Sequence, residues 1–250
     1  MAERVEPVPG DDVDGGAGAA PQPRRPRLPF WASLLLNVVV AIAVVAVVQA
    51  LWVKVYSVPS GSMENTLEVG DRMLVNRTAY PDGMADSQDV VVFTANEDWA
   101  TPASSEGAVE NAVRTFGDLT GIGRSHEQAL VKRVVGTAGQ TVECCTAEGA
   151  VTVDGEPLDE PYIHNDLPFI RDELDCESEV MSARCFGPVT VPEDSMLVLG
   201  DHRSNSADSV IACRGIPADQ AGDCARFVTR EDIVGEVFVT VWPPTHWGGH

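Results

Sequence analysis

The stretch ALVKRVVG, residues 129–136, places a lysine and an arginine inside a run of mostly β-branched apolar residues. A run of this length and composition is typical of a β-strand. Side chains alternate across a strand, so Lys132 and Arg133 face opposite sides, and an outward Arg133 directs Lys132 inward. Burial disfavours the ammonium form and therefore lowers the pKa of a lysine. The alternative is an edge-strand lysine whose amine reaches solvent.

Similar β-rich runs recur along the chain, and turn residues separate them. They are RMLVN (72–76), DVVVFTA (89–95), TVE (141–143), AVTVDG (150–155), SMLVLG (195–200) and IVGEVFVTVW (233–242). The pair Asp154-Gly155 predicts a hairpin turn. Two stretches, 97–128 and 155–193, lack this pattern. We therefore predict an all-β domain over residues 54–250.

One long apolar run precedes this domain. Residues 30–53, FWASLLLNVVVAIAVVAVVQALWV, carry no charge, and as a helix they span about 36 Å, which exceeds the ~30 Å hydrocarbon core of a bilayer. Arg24, Arg25 and Arg27 come before the run, so the positive-inside rule predicts a cytoplasmic N-terminus. Residues 1–29 are rich in Pro, Gly, Ala and Asp, which predicts a disordered cytoplasmic tail. The alternative is a cleaved signal peptide, although the run exceeds the usual 7–15 apolar residues.

The charge of the chain is strongly acidic. It holds 17 basic and 38 acidic residues, a net charge of −21. Residues 54–250 account for 13 of the basic and 33 of the acidic residues. A surface of this sign repels phosphate groups, so we expect no nucleic-acid partner.

All six cysteines follow the apolar run. Such a distribution fits an oxidising exterior and disulfide bonds, while buried free thiols are the alternative. The spacings do not suggest a zinc site, and six cysteines allow fifteen full pairings. The short-range pairings are Cys176–Cys185 and Cys213–Cys224, which leaves the adjacent Cys144 and Cys145 unassigned.

The segment SVPSGSMENTL, residues 57–67, places Ser60 and Ser62 a few residues after the apolar run. Ser62 lacks the flanking glycines of a GxSxG elbow, and no lysine follows it at the spacing of an SxxK motif. The histidines offer no local triad signature, and we expect His202, in GDHRS, to lie on a surface turn. A Ser-Lys pair with Lys132 remains. No metal or cofactor is implied.

Three sequence blocks follow the apolar run: PSGSMENTLEVGDRMLVN (59–76), KRVVGTAGQTVE (132–143) and GDHRSNSADS (200–209). Together they resemble bacterial type I signal peptidases, the membrane-bound Ser-Lys endopeptidases that remove signal peptides from exported preproteins. The resemblance implies an antiparallel β-sheet catalytic core with an inserted cap region, for which 144–195 is the candidate. It also implies an anchor at 30–53 in contact with membrane lipid and an extracytoplasmic peptidase domain at 54–250.

The resemblance assigns roles to seven residues. It makes Ser62 the nucleophile and Lys132 its general base. Ser60 supplies an oxyanion-hole hydroxyl beside the Ser62 N–H, and Ser206 orients the Lys132 amine. The supporting residues are Asp208 in an ion-pair network, and Asp201 and Arg203 in the turn that follows Gly200.

Two positions depart from the family's pattern. Asn65 stands where the family usually has proline, and asparagine also favours turns. In the family an arginine commonly follows the Asp-Ser pair, and in this chain Val210 stands at that position. Asp208 therefore needs another partner, either Arg214 or Arg203.

Two rival functions stay open. One is a Ser-Lys protease with another substrate, such as a self-cleaving repressor, and the other is an anchored non-catalytic binding or assembly protein.

Overall fold

The described part of the chain begins with one long apolar helix. The computed structural model describes residues 29–81, 84–99, 115 and 128–249, so the predicted tail up to residue 28, including its arginines, and most of 97–128 lie outside the described residues. Helix α1 spans Phe30–Leu51 and is long and apolar enough to cross a membrane. The predicted span ran to Val53, but Val53 already begins the first strand.

The remaining described residues fold mainly into β-strands. In chain order these are β1 (Val53–Ser57), β2 (Arg72–Asn76), β3 (Val90–Thr94), β4 (Ala129–Thr137), β5 (Thr141–Cys144), β6 (Val151–Val153), β7 (Glu156–Pro157), β8 (Phe186–Thr190), β9 (Ser195–Leu199), β10 (Val228–Thr229), β11 (Ile233–Trp242) and β12 (Gly248–Gly249). A four-residue helix, α2, spans Ala218–Ala221. The predicted all-β fold is confirmed.

The larger sheet contains eight strands in the order β1-β2-β11-β3-β4-β9-β10, with β12 paired to β11. Its neighbouring strands run antiparallel. Strand β4 lies between β3 and β9, and its residues Val134 and Val135 are fully buried. Arg133 of β4 is paired with Leu199 of β9. This register brings the segment that follows β9, from Gly200 onward, beside Lys132.

The second sheet has the order β7-β6-β5-β8 and spans residues 141–190. It lies in sequence between β4 and β9 of the larger sheet, and its strands β6, β7 and β8 fall within the predicted insertion 144–195, whose role as a cap stays a prediction. Asp154 and Gly155 both have positive φ, at 53° and 83°, as a two-residue hairpin turn of the predicted kind requires. Strand β8 lies in 155–193, a stretch in which no strand pattern was recognised. It was missed because Gly187 and Pro188 interrupt its β pattern.

Three disulfide bonds lie in the part of the chain after the helix. The two short-range pairings expected from sequence are present, Cys176–Cys185 and Cys213–Cys224. The pair left unassigned, Cys144 and Cys145, is bonded to itself.

Candidate active site

Ser62 lies in a single 3-10 turn, Gly61–Met63, which follows strand β1. The apolar side chains of Met63 and Leu67 are buried in the core, and the Leu67 N–H donates to the Met63 carbonyl at 2.7 Å. These contacts fix the turn against the sheet. Ser62 itself is only 7% exposed.

Lys132 reaches Ser62 from strand β4. Its Nζ lies 2.7 Å from Ser62 Oγ and 3.0 Å from the carbonyl oxygen of Val131. The side chain is 4% exposed. The inward orientation predicted from strand alternation is therefore present, and the edge-strand alternative is not.

Burial changes the acidity of this amine. Removal from water lowers the pKa of Lys132 from 10.5 to about 8. Asp208 and Asp201 raise the pKa in opposition to burial, while Arg226 lowers it further. With a pKa near 8, about one Lys132 amine in ten is neutral at pH 7. A neutral amine within hydrogen-bond distance of a serine hydroxyl can accept its proton.

Ser60 lies next to the pair. It is exposed, and its hydroxyl donates to Ser62 Oγ over a long distance of 3.5 Å. The Ser60 hydroxyl is thus near Ser62 Oγ without being fixed by a short hydrogen bond.

Ser206 is also brought to the site, but without the predicted bond. It is 5% exposed, and its Oγ has no hydrogen-bond partner among the described residues. Its proximity to the serine segment is shown at Gly200, where an added Cβ would lie 2.2 Å from Ser206 Oγ and 2.6 Å from the Ser62 carbonyl oxygen. Only glycine fits between the two serines. The orienting role of Ser206 stays a prediction.

Asp208 finds the partner that the sequence left open. The carboxylate is fully buried, and Arg214 Nη2 lies 3.2 Å from its Oδ2. The same oxygen accepts a 3.4 Å hydrogen bond from the Gly200 N–H. Arg226 donates to the Asp208 carbonyl at 3.1 Å. Asp208 therefore links Arg214 to the glycine that separates Ser62 from Ser206.

Arg133, expected only to point outward from the strand, is little exposed and is held by a neighbouring segment. Its guanidinium forms a two-pronged ion pair with Asp201, at 2.9 Å and 2.6 Å. Thr66 donates to the same carboxylate at 2.5 Å, and the guanidinium lies 3.9 Å above the ring of Tyr162. Asp201 thus joins β4 to the segment that follows Ser62. Sequence reasoning missed this contact of Arg133, because strand alternation shows which side of the strand a residue faces but not which distant residue it meets there.

Arg203 contacts the turn that follows Gly200 and also a more distant residue. It donates from Nε to the Gly200 carbonyl at 3.0 Å and forms a buried ion pair with Glu160. Glu160 precedes the loop that contains Tyr162, whose carbonyl accepts a 3.3 Å bond from the Asn65 amide. The chain region 160–165 therefore packs against the segment that contains Ser62 and Asn65.

Asn65 adopts a backbone conformation that proline cannot. Its φ is 81°, in the left-handed region that asparagine tolerates better than most residues. Proline fixes φ near −65°. A proline at position 65 would therefore be incompatible with the backbone that this chain adopts there.

His202 is not on a surface turn. It is 8% exposed, its N–H donates to the Ser62 carbonyl at 3.1 Å, and its Nδ1 lies 2.6 Å from Glu64 Oε2. The expectation failed because this turn comes directly after β9, and the strand places His202 beside Ser62. Glu64, His164 and His202 are also the described histidine and carboxylate groups close enough together to hold a metal ion.

Comparison with known proteins gives consistent results. A family model described as "Signal peptidase, peptidase S26" matches residues 31–242. The chain is 33% identical to a probable signal peptidase I of Mycobacterium leprae, over 91% of this chain and 81% of that protein. It is 33% identical to the signal peptidase I of Mycobacterium tuberculosis strain CDC 1551, over 99% of this chain and 85% of that protein.

More distant proteins carry the same name. The signal peptidase I of Leptolyngbya laminosa is 28% identical over 99% of this chain and 95% of its own length. The crystal structure of a signal peptidase I from Enterococcus faecalis V583 is 18% identical, covers 62% of this chain and 97% of that chain, and gives a TM-score of 0.32.

Proposed function

Because this chain belongs to the signal peptidase family, peptidase S26, whose members are serine endopeptidases, we propose that Ser62 is its nucleophile and Lys132 its general base. The observation that carries this proposal is the 2.7 Å contact between Lys132 Nζ and Ser62 Oγ at a buried site. A buried amine with a lowered pKa is one of the few groups that can activate a serine without histidine.

The reaction proceeds in two halves. The neutral Lys132 amine takes the Ser62 proton while Oγ attacks the carbonyl carbon at the end of the signal peptide. The peptide C–N bond then breaks, and the Lys132 ammonium gives its proton to the leaving amine. In the second half the neutral amine takes a proton from water, and the resulting hydroxide attacks the acyl-enzyme ester. As the ester C–O bond breaks, the Lys132 ammonium returns this proton to Ser62 Oγ, which restores the free enzyme.

Two donors are proposed for the oxyanion. The Ser62 backbone N–H and the Ser60 hydroxyl converge on the carbonyl oxygen as it gains charge. A donor of this kind contributes roughly 2.7–4 kcal/mol to transition-state stabilisation. The 3.5 Å separation of the Ser60 and Ser62 hydroxyls leaves Ser60 able to turn toward the substrate.

Ser206 acts on the charged form of the lysine. An ammonium group has three hydrogen-bond donors, and Lys132 uses two of them, to Ser62 and to the Val131 carbonyl. The buried Ser206 hydroxyl has no hydrogen-bond partner in the part of the chain that the structure describes, and an unsatisfied buried hydroxyl costs about 1–3 kcal/mol. We infer that it accepts the third donor after proton transfer and so holds the ammonium in position.

Membrane attachment accounts for the substrate class. The family acts on preproteins with signal peptides, which are themselves membrane-inserted. Helix α1 supplies an anchor of membrane-spanning length, and Ser62 follows its end by eleven residues. Trp242 and Trp247 are exposed by more than half, and tryptophan favours the lipid–water interface. We propose that the peptidase domain lies at the outer membrane face, in contact with lipid, with the N-terminus in the cytoplasm.

The proposed orientation predicts a protection pattern. Protease added to intact spheroplasts should degrade the domain after residue 54 and spare a tag placed at the N-terminus, because only the domain is outside. Both parts are followed by immunoblot. Lysed spheroplasts, in which the tag is also lost, serve as the control. A protected domain in intact spheroplasts would contradict the orientation.

Cleavage of a preprotein tests the function directly. Detergent-solubilised protein incubated with a preprotein that has small residues before its cleavage site should release a fragment with one new N-terminus, which mass spectrometry locates. A Ser62→Ala preparation purified in the same way excludes a contaminating protease. No cleavage by a folded enzyme, or equal cleavage by both preparations, would refute the proposal.

The Cys213–Cys224 bridge is expected to support catalysis through Arg214. Cys213 is fully buried and immediately precedes Arg214, which contacts Asp208. A Cys213→Ser, Cys224→Ser variant should lose very roughly 3 kcal/mol of stability. At a temperature where it stays folded, kcat should fall roughly ten- to hundredfold, because small displacements at a catalytic site are costly.

The Arg214→Gln variant distinguishes a catalytic role of the Cys213–Cys224 bridge from a role in stability alone. If the bridge acts through Arg214, its removal from the Arg214→Gln variant should lower kcat much less than its removal from the natural chain. Removal of the other short-range bridge, by Cys176→Ser with Cys185→Ser, is the control for the loss of a disulfide. Unchanged turnover in the folded Cys213→Ser, Cys224→Ser variant would show that the bridge has no catalytic role.

A further inference from the structure

Three metal-ligating side chains meet beside Ser62. Glu64, His164 and His202 each offer one ligand atom, and these atoms all lie within 4.8 Å of one another. The proposed Ser62–Lys132 chemistry uses none of the three. Two imidazoles and one carboxylate form a ligand set that zinc favours, with a fourth position left for water.

Backbone contacts hold the three residues together. The His164 N–H donates to the Asp201 carbonyl at 2.8 Å, and the His202 N–H donates to the Ser62 carbonyl at 3.1 Å. The two imidazole rings meet edge to face, with centroids 5.0 Å apart. Residues from three separate chain segments are thus positioned by the fold before any ion binds.

The side-chain contacts are compatible with an ion. Glu64 Oε2 lies 2.6 Å from His202 Nδ1, and the Gly61 carbonyl lies 3.1 Å from the same nitrogen. His164 Nε2 lies 3.0 Å from the Asn165 amide nitrogen. Zinc bound at 2.0–2.2 Å in a tetrahedron keeps its ligand atoms about 3.3 Å apart. The ligand atoms lie up to 4.8 Å apart, so side-chain movements of up to about 1.5 Å bring them to the separation that a tetrahedral zinc site requires.

We propose that Glu64, His164 and His202 bind one zinc ion, and that binding slows the peptidase. The ion replaces the hydrogen bond between Glu64 and His202 and joins both to His164. Glu64 follows Ser62 by two residues, and His202 holds the Ser62 carbonyl. A bound ion therefore connects the segment that contains Ser62 to the loop that contains His164, and so restricts movement beside the proposed nucleophile.

Cobalt binding tests the site without reference to catalysis. Full-length protein in detergent is titrated with Co²⁺, whose visible absorption reports tetrahedral coordination, and Zn²⁺ is added in competition. One saturable site is expected. His164→Gln and Glu64→Gln should each weaken binding at least about tenfold, since loss of even an outer partner costs that much. Thermal melting of each variant shows that it is folded.

The chain offers a matched control. His246 Nδ1 lies 2.8 Å from Asp71 Oδ1, a histidine–carboxylate pair that has no second histidine ligand among the described residues. His246→Gln should leave Co²⁺ binding unchanged. Binding that does not saturate, that survives both His164→Gln and Glu64→Gln, or that is lost equally in His246→Gln would overturn the site.

Turnover measurements test the effect on the peptidase, which rests on the proposed function. Zn²⁺ should lower kcat of the natural chain, a chelator should restore it, and the residual kcat of His164→Gln should be much less sensitive. Saturable binding with unchanged turnover would overturn the coupling to Ser62. An enzyme inactive on every preprotein would count against the proposed function, while the Co²⁺ titration would still decide the metal site.

Discussion

Replacement of Ser62 by alanine is expected to lower kcat for preprotein cleavage by at least about 10⁴-fold. The change removes the hydroxyl oxygen that Lys132 Nζ contacts at 2.7 Å, and loss of a serine nucleophile in comparable proteases costs up to about 10⁶-fold. Alanine is smaller than serine and suits a buried turn, so the fold should be retained. Turnover is measured with a preprotein substrate, and thermal melting checks the fold.

Ser182→Ala is the matched control for Ser62→Ala. Ser182 is fully buried, and its hydroxyl donates to the Pro168 carbonyl, away from Lys132. Its replacement should cost about 1 kcal/mol of stability and leave kcat nearly unchanged. An acylating probe should label the natural chain at Ser62 and leave the Ser62→Ala variant unlabelled. Activity of Ser62→Ala within tenfold of the natural chain would exclude Ser62 as the nucleophile.

Replacement of Lys132 by arginine should lower kcat by about 10²- to 10⁴-fold or more, the usual contribution of a general base. Arginine keeps the positive charge but stays protonated at any relevant pH, so it cannot accept the Ser62 proton. Lys54→Arg is the control, since Lys54 lies over the ring of Tyr56 in β1. Near-normal cleavage by Lys132→Arg would refute the assignment.

The natural enzyme should show a matching pH dependence. Because the neutral amine is the active form and its pKa is about 8, kcat/KM should rise about tenfold per pH unit below 8 and level off above it. Lys132→Arg should lack this rise, so the residual activity of the variant separates the lysine from other titrating groups.

The central pair was predictable because it depends on local rules. An apolar run with one lysine defines a strand, and strand alternation sends Lys132 inward. Strand β11 was predicted to the residue, since its ten residues are nearly all β-formers. Strand β8 was not predicted, because Gly187 and Pro188 interrupt its β pattern. Its pairing with β5 stabilises the strand in the folded chain.

The surroundings of the pair depend on contacts between distant segments, which the sequence does not order. Arg133 was expected only to point outward, but Asp201, 68 positions away, binds it. His202 was expected on the surface, but its contacts with Glu64 and Ser62 bury it. Asp208 pairs with Arg214 rather than with Arg203. This pairing likewise depends on how the turn between Asp208 and Arg214 folds.

The state of the Lys132 amine is the central claim, and NMR can measure it. The chain contains only two lysines, Lys54 and Lys132, so protein labelled with ¹³C at the lysine ε-carbon gives two signals. The signal absent from a Lys132→Met variant belongs to Lys132. We predict that its chemical shift titrates with a pKa near 8, because burial disfavours the ammonium form. Titration at the ordinary lysine value near 10.4 would contradict a neutral base at Ser62.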